Sequence, residues 1–252
     1  MSLFDLTGKT ALVTGGSRGI GRAIATRMAE HGAKVVICAR GAEACESAAA
    51  AINATYQGAA LAVPADITDK ADLARLVERA RAAFAKIDVL VCNAGGMFAR
   101  GPLAQNSDED IQKTWTLNVM ANHWLIQLVA PEMLERGNGS IILVSSVAGL
   151  RGNPVGMATY GMTKAADLQM TRSLAVEFGP RNVRVNCIVP GLIITEMTGR
   201  NEQLIAANNA RRPLAHLGEP DDCAGPAVML ASDAGRYMTG QAVIVDGGLL
   251  MA

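Results

Sequence analysis

Three side chains near the middle of the chain have the types and spacing that proton transfer to a carbonyl oxygen needs. Tyr160 and Lys164 are four residues apart, so on a helix both project from one face, about one turn apart. A neighbouring ammonium favours the phenolate and should lower a phenol pKa that is otherwise near ~10. Ser146 follows an apolar run, 141–144, that is typical of a buried strand. Its hydroxyl and the Tyr160–Lys164 pair could therefore converge on one carbonyl oxygen.

Gly161 is an unfavourable residue for the interior of the helix predicted over 159–178. Glycine costs a helix interior about 1 kcal/mol relative to alanine. Its missing side chain would leave room for a ligand beside Tyr160, and a loose first turn is the alternative explanation.

A glycine-rich segment near the amino end, 14–21, follows a predicted strand and precedes an amphipathic helix. Gly15, Gly19 and Gly21 have the spacing G-x-x-x-G-x-G, which differs from the common dinucleotide pattern G-x-G-x-x-G because residue 24 is isoleucine. Glycine permits a positive φ in the turn, and bare backbone lets a pyrophosphate approach the free amides of the helix. The segment therefore predicts a nucleotide site.

The end of the second predicted strand indicates which nucleotide is bound. An NAD site places an acid about 20 residues past the glycines, where it holds the ribose 2′-hydroxyl. That position is Ala39 here, and Arg40 follows it. A guanidinium at Arg40 would instead pair with a 2′-phosphate, and Arg18 or Ser17 could assist. NADP(H) is therefore favoured over NAD(H), which stays open because Arg40 could simply be a solvated residue.

Short β-branched runs alternate with longer amphipathic segments along the chain, and no linker divides it. Predicted strands cover 11–14, 35–38, 61–63, 89–92, 141–144, 183–188 and 242–245, and predicted helices cover 21–31, 42–56, 70–85, 108–134, 159–178 and 220–231. Apolar residues at successive strand positions imply burial on both faces. The chain predicts a single α/β domain over 1–252, a doubly wound Rossmann-type parallel sheet of about seven strands with helices on both faces.

Composition narrows the function classes. The 252 residues are 50% hydrophobic and 18% charged, with a formal net charge of zero. This balance predicts a sizeable core, no nucleic-acid partner and no membrane association. The amino end lacks a signal-peptide pattern, and the five cysteines are dispersed, so we expect reduced thiols in a cytoplasmic protein. The three histidines are also far apart in sequence, so no metal site is expected.

Further motifs make the sequence resemble the short-chain dehydrogenase/reductase family over essentially its whole length. The motifs are Thr-Gly-x-x-x-Gly-x-Gly at 14–21, Asp66, Asn93-Ala94-Gly95, Asn118, Ser146, Tyr160-x-x-x-Lys164, Pro190-Gly191 and Asp246-Gly247-Gly248. Each is common alone, whereas all of them in this order are highly specific.

The resemblance implies roles in cofactor binding for residues that follow the strands. Asp66 and the Ile67 backbone would contact the adenine, and 93–95 would line the ribose. Asp66 as a cap of the next helix, and 93–95 as an ordinary turn, are the structural alternatives. The implied cofactor-binding residues are Gly15, Ser17, Arg18, Gly19, Ile20, Gly21, Arg40, Asp66, Ile67, Asn93, Ala94, Gly95, Tyr160, Lys164, Pro190, Gly191, Ile193 and Thr195.

The implied reaction is reversible hydride transfer between a nicotinamide and a carbonyl carbon. Tyr160 would be the general acid, and Ser146 would donate a hydrogen bond to the same substrate oxygen. Lys164 would lower the pKa of Tyr160 and hold the nicotinamide ribose. Asn118 would position a water that links Lys164 to solvent, or it would satisfy backbone groups at a helix irregularity.

Three segments should choose the substrate: 96–100, 150–157 and 192–212, the last a predicted lid. They suggest a medium-sized, largely apolar ketone or aldehyde, although the same side chains could pack the lid instead. Their candidate contacts are Met97, Phe98, Leu150, Arg151, Asn153, Val155, Met157, Leu192 and Met197.

Three alternatives to a ketone (carbonyl) reductase stay open. The first is a β-ketoacyl-(acyl-carrier-protein) reductase, whose acidic carrier could meet Arg136 and Arg181. The second is an alcohol or hydroxysteroid dehydrogenase working in the oxidative direction, and the third is a non-catalytic NADP-binding protein. The apolar tail, 247–252, and apolar helices suggest a homotetramer, which is common in the family, or a homodimer.

Overall fold

The computed structural model describes residues 2–196 and 212–251, and within them one seven-stranded sheet. The strands are β1 Thr10–Thr14, β2 Lys34–Ala39, β3 Ala60–Pro64, β4 Val89–Cys92, β5 Gly139–Val144, β6 Val183–Pro190 and β7 Ala242–Val245. They run parallel in the order β3-β2-β1-β4-β5-β6-β7. Every predicted strand lies within an observed one, so the doubly wound parallel fold class is confirmed.

The helices occupy the predicted segments and cover both faces of the sheet. They are α1 Gly19–Glu30, α2 Ala42–Thr55, α3 Lys70–Phe84, α4 Asp108–Trp115, α5 Ala121–Arg136, α6 Ala158–Phe178 and α7 Pro220–Ala231. Leu12 packs with α3, α5 and α6 on one face, whereas its neighbours Ala11 and Val13 pack with α1, α2 and α7 on the other. Burial on both faces is what successive apolar strand residues predict.

The prediction of one continuous helix over 108–134 is wrong. A π-helical turn, Thr116–Met120, separates α4 from α5. Such turns are rare and often lie at functional sites. Asn118 lies inside this turn and is buried. The apolar pattern runs through both helices, so it could not show the insertion.

Strands β1 and β4 pair with each other at the middle of the sheet. From β1 the chain continues to β2 on one side of this pair, and from β4 it continues to β5 on the other side, so the strand order reverses between them. In such sheets ligands bind in the crevice outside the carboxyl ends of the strands, at this switch point. The glycine-rich turn follows β1, and Asn93 follows β4, so both lie at that crevice.

In residues 2–196 and 212–251, no helix is long and apolar enough to cross a bilayer. The same residues contain no group of three or more His, Cys, Asp or Glu side chains placed to hold a metal. The predicted lid, 192–212, falls mostly on 197–211, which lie outside the described residues, as does Met197.

Candidate active site

The turn after β1 can be built only with glycine at its key positions. Gly15 and Gly19 have φ values of 65° and 53°, in the left-handed region. A Cβ on Gly21 would lie 2.3 Å from the main-chain oxygen of Gly15. Helix α1 begins at Gly19, two residues before its predicted start, and the Arg18 side chain does not cap it. The first amides of α1 are therefore left available to an anion.

Thr14 and Asn93 fasten this turn to β4. Thr14 Oγ1 accepts from the main-chain N–H groups of Asn93 and Ala94, each at 3.0 Å, and donates to Val91 O. Asn93 Nδ2 donates to Thr14 O at 2.9 Å and to Gly15 O at 3.3 Å. Asn93 is thus more than part of an ordinary strand-end turn. Sequence reasoning missed the role of Thr14, whose signal was a buried hydroxyl directly before the first glycine.

The residues expected at the adenosine end lie after β2 and β3. Arg40 follows β2 and is exposed, as is Arg18, while Ser17 is half-buried. Asp66 Oδ1 accepts from the main-chain N–H and the hydroxyl of Thr68. Asp69, not Asp66, caps α3, so the capping alternative for Asp66 is wrong.

Ile67 and Ile20, which the resemblance assigns to the cofactor, pack against the core on opposite faces of the sheet. Ile67 is buried after β3, and Ile20 is half-buried in the first turn of α1. Ile20 also packs against the core on the α1 face. Side-chain packing therefore leaves backbone groups as their contribution to a ligand.

The segment after β6 returns to the glycine turn. Gly191 packs closely on the chain after β7, since a Cβ there would lie 2.8 Å from Asp246 Cα. Ile193 is buried and forms a parallel bridge with Gly218. The Thr195 side chain lies 3.2 Å from where a Cβ on Gly19 would stand. The structure thus brings Thr195, in the segment after β6, against the glycine turn.

Ser146 lies just beyond β5 and begins a short 3₁₀ turn. Its Oγ accepts from the main-chain N–H of Ala148 at 3.1 Å. The neighbouring Ser145 Oγ donates to the main-chain oxygen of Lys164 at 2.7 Å, which fastens this segment to α6.

Gly161 allows α6 to pack against the segment that follows Ser146. A Cβ on Gly161 would lie 2.3 Å from Asn153 Nδ2 and 3.0 Å from Ala148 O. Asn153 Nδ2 in turn donates to Ala148 O at 2.7 Å. Close packing against Asn153 and Ala148 thus accounts for the glycine, and neither sequence interpretation of Gly161 included it.

Tyr160 and Lys164 lie one turn apart in α6, as their spacing predicts. Lys164 Nζ lies 5.9 Å from the centroid of the Tyr160 ring. The lysine is only 3% exposed, and Nζ donates to Val144 O at 2.8 Å and to Asp167 Oδ2 at 2.9 Å. Sequence reasoning missed Asp167, although an acid on an apolar helix, three residues after the lysine, was a signal.

Burial and charge act in opposite directions on this ion pair. Burial alone lowers the pKa of Lys164, but the charges of Asp167 and Tyr160 outweigh it, so the pKa of Lys164 is raised. Burial also raises the pKa of Asp167, against the opposing effect of the Lys164 ammonium. The two groups together form a buried ion pair at the base of the site.

Asn118 ties the π-helical turn to the chain after β4. Its Oδ1 accepts from Gly96 N, and its Nδ2 donates to Gly96 O and to Thr163 Oγ1, each at 2.9 Å. A Cβ on Gly95 would lie 3.2 Å from Asn118 Oδ1 and 3.6 Å from Lys164 Nζ. The expectation that Asn118 satisfies backbone at a helix irregularity is confirmed, and Gly95, Asn118 and Lys164 lie together.

Comparisons with known proteins agree with this architecture. Residues 15–250 match a protein-family model described as enoyl-(acyl carrier protein) reductase. The chain is 39% identical to human dehydrogenase/reductase SDR family member 4, over 96% of this chain and 88% of that one. It is 38% identical to the 3-oxoacyl-[acyl-carrier-protein] reductase FabG of Rickettsia conorii, over 99% and 100%.

A solved structure extends the agreement to the whole backbone. A Beutenbergia cavernae protein with NADP bound at low occupancy is 37% identical, has a TM-score of 0.92 and matches over 100% of both chains. Family model, sequence identity and backbone agree over nearly the whole length. The chain belongs to the short-chain dehydrogenase/reductase family of oxidoreductases.

Proposed function

We propose that this chain transfers a hydride between NADP(H) and the carbonyl or secondary alcohol of a medium-sized, largely apolar substrate, as a ketone reductase. The observation that carries the proposal is the placement of Tyr160 and Lys164 on α6, with Ser146 beyond β5 on the segment fastened to that helix. These groups share the carboxyl edge of the sheet with the glycine turn. A proton donor and an anion-binding turn at one edge suit reduction of a carbonyl.

The chain's own residues fit a dinucleotide. A Cβ on Gly15 or Gly21 would lie 2.8 or 2.4 Å from Asn93 Nδ2, so glycine at both positions keeps the turn tight. A tight turn without side chains would let a pyrophosphate approach the amides of α1. The residues that the family resemblance assigns to the cofactor, beginning with Gly15 in the glycine turn and ending with Thr195 after β6, would hold it. The cofactor supplies or accepts the hydride when bound. Arg40 is exposed and directly follows Ala39, which stands where an NAD site has an acid, and this supports NADP(H).

Each catalytic side chain has a defined use for its protons. Ser146 Oγ accepts from Ala148 N, so its own proton is left to donate to the substrate oxygen. Tyr160 donates the proton that the reduced oxygen takes up. Lys164 has three protons and uses two on Val144 O and Asp167, so one is left for a ribose hydroxyl.

Asn118 serves the proton relay through its main chain. Its side-chain atoms already have partners, so the water proposed for the relay would bind its main-chain oxygen. That oxygen accepts from Asn122 Nδ2 at 2.7 Å and can accept a second hydrogen bond.

The apolar substrate preference is supported by side chains beside the site. Phe98 and Leu150 are partly exposed, and Val155 is 82% exposed. Asn153 is not available as a polar contact through its Nδ2, which donates to Ala148 O. An apolar mouth of this kind favours a ketone or aldehyde over a charged sugar acid.

A β-ketoacyl-(acyl-carrier-protein) reductase is the second candidate. The similarity to the Rickettsia conorii reductase over the full length of both chains favours it. A non-catalytic NADP-binding protein is disfavoured because Ser146, Tyr160 and Lys164 are all present.

We also propose a homotetramer, or a homodimer, in the cytoplasm. Leu249 is buried in the core, so part of the apolar tail is explained within one chain. Val176 on α6 and Met251 in the tail are about four-fifths exposed, at 79% and 80%. The five cysteines are all free, which suits a reducing compartment. Light scattering coupled to gel filtration tests the assembly.

A ketone panel tests the proposed function. NADPH oxidation is followed with aliphatic and aromatic ketones, a steroid ketone and a β-ketoacyl thioester, with Tyr160→Phe as the matched control. We expect turnover with at least one apolar ketone, and none with the control. Turnover confined to the thioester would select the second candidate, and no turnover with bound NADPH would contradict the proposal.

A further inference from the structure

A buried carboxylate lies one turn beyond Lys164, where the proposed chemistry uses no acid. Asp167 is 0% exposed, and its Oδ2 accepts from Lys164 Nζ while its Oδ1 accepts from Asn122 Nδ2 at 3.2 Å. The orientation of Asn122 is fixed, because the same Nδ2 donates to the main-chain oxygen of Asn118. Both carboxyl oxygens therefore face donors, which is the environment of an ionised carboxylate.

Two of the other titratable groups near this ion pair are thiols. Cys92 faces it from β4 and Cys187 from β6. Burial raises the pKa of both thiols, that of Cys187 to about 12, so they stay neutral at physiological pH. Tyr160 on α6 is the remaining titratable neighbour. In the part of the chain that the structure describes, Asp167 is the one carboxylate at ion-pair distance from Lys164.

An ammonium in this place needs a counter-charge. Isolated charges are costly to bury, and a buried amine without a partner loses its proton instead. Val144 O binds the Lys164 ammonium but brings no full charge. The Asp167 carboxylate supplies that charge, and Asn122 holds the carboxylate from α5.

We propose that Asp167 is a positioning residue that keeps the Lys164 ammonium charged and fixed beside Tyr160, an inference that rests on the proposed function. Asp167 acts through Lys164 and touches neither substrate nor cofactor. With the ammonium held, Lys164 can favour the Tyr160 phenolate and still offer its third proton to the ribose. Without Asp167, burial would lower the pKa of Lys164.

Asp167→Asn is the direct test, because asparagine keeps the volume but removes the charge and turns a donor towards Lys164 or Asn122. The Lys164 titration is followed by NMR in protein labelled with ¹³C at lysine Cε, and Lys164→Met assigns the signal. We expect its midpoint to fall by about one pH unit or more. An unchanged midpoint would overturn the proposal.

Thr171→Val is the matched control. Thr171 is buried one turn further along α6, and its Oγ1 donates to the main-chain oxygen of Asp167, not to the carboxylate. We expect it to lower stability and leave the Lys164 midpoint unchanged. A shift as large as that of Asp167→Asn would show that general packing sets the titration and would overturn the proposal.

A second measurement covers the case in which Asp167→Asn does not fold. Urea unfolding is compared for Asp167→Leu and for the double variant Lys164→Met/Asp167→Leu. Removing one partner leaves a buried unpaired charge, whereas replacing both does not. We expect the double variant to unfold at the higher urea concentration, and an equal or lower midpoint would overturn the proposal.

Neither measurement needs a substrate, so the two proposals can fail separately. A shifted Lys164 midpoint without turnover in the ketone panel would refute the proposed function alone. Turnover with an unshifted midpoint would refute the role of Asp167 alone.

Discussion

The glycine turn after β1 and the segment between β5 and α6, where we propose proton transfer, are built by different means. Neutral hydrogen bonds of Thr14 and Asn93 hold the glycine turn, where we propose that bare backbone faces an anion. A buried ion pair of Lys164 and Asp167 organises the other end. The difference follows from the chemistry proposed for each: an anion needs free amides and no competing acid, whereas a phenol that gives up a proton needs a nearby cation.

The largest effect should come from removing the phenol. Tyr160→Phe keeps the ring on α6 but leaves no proton donor for the substrate oxygen. We expect kcat for carbonyl reduction to fall by about 10³-fold or more. NADPH affinity, measured by fluorescence titration, should stay close to wild type. Normal turnover in this variant would refute the general-acid role.

Ser146→Ala should have the next largest effect at the same end. The variant loses one hydrogen bond to the developing oxyanion, which costs about 10²-fold in kcat by analogy with other oxyanion donors. Steady-state kinetics should show the loss in kcat more than in KM. If the kinetics match wild type, Ser146 serves only to begin the 3₁₀ turn.

The third variant, Gly21→Ala, changes the glycine turn. Its Cβ would stand 2.3 Å from Gly15 O, so the backbone must shift, at about 1–3 kcal/mol of unfolding free energy. NADPH binding should weaken with it. Gly225→Ala in α7 is the matched control, since nothing lies within 4 Å of its Cβ. Equal unfolding free energies and NADPH affinities for the two variants would contradict the close approach argued for Gly21.

Arg40→Asp should have the smallest effect, because Arg40 is exposed and solvent screens its charge. We expect the ratio of kcat/KM for NADPH over NADH to fall by about tenfold, the value of one charge-assisted hydrogen bond. Ser173→Ala, on an exposed hydroxyl of α6, should leave the ratio unchanged. An unchanged ratio in Arg40→Asp would make Arg40 a solvated bystander.

The sequence predicted the parts of the molecule that depend on local pattern. Continuous apolar runs predicted all seven strands, and glycine spacing predicted the turn that Gly15 and Gly21 require. The spacing of Tyr160 and Lys164 placed them on one helix face.

The features that sequence reasoning missed depend on contacts between distant segments. Asn93 is 79 residues from Thr14, and Asn118 is 45 residues from Thr163, so neither hydrogen bond has a local signature. The π-helical turn leaves the apolar pattern intact. Asp167 was visible as an acid after Lys164, but only the packing of α6 on the sheet shows that both are buried.

Hydride transfer itself is the central claim, and isotope transfer tests it most directly. Each C4 epimer of [4-²H]NADPH is incubated with the best ketone of the panel, and the alcohol is analysed by mass spectrometry and NMR. We predict that one epimer places deuterium on the carbinol carbon, and that Tyr160→Phe gives no labelled alcohol. NADPH consumption without deuterium on that carbon from either epimer would contradict the account.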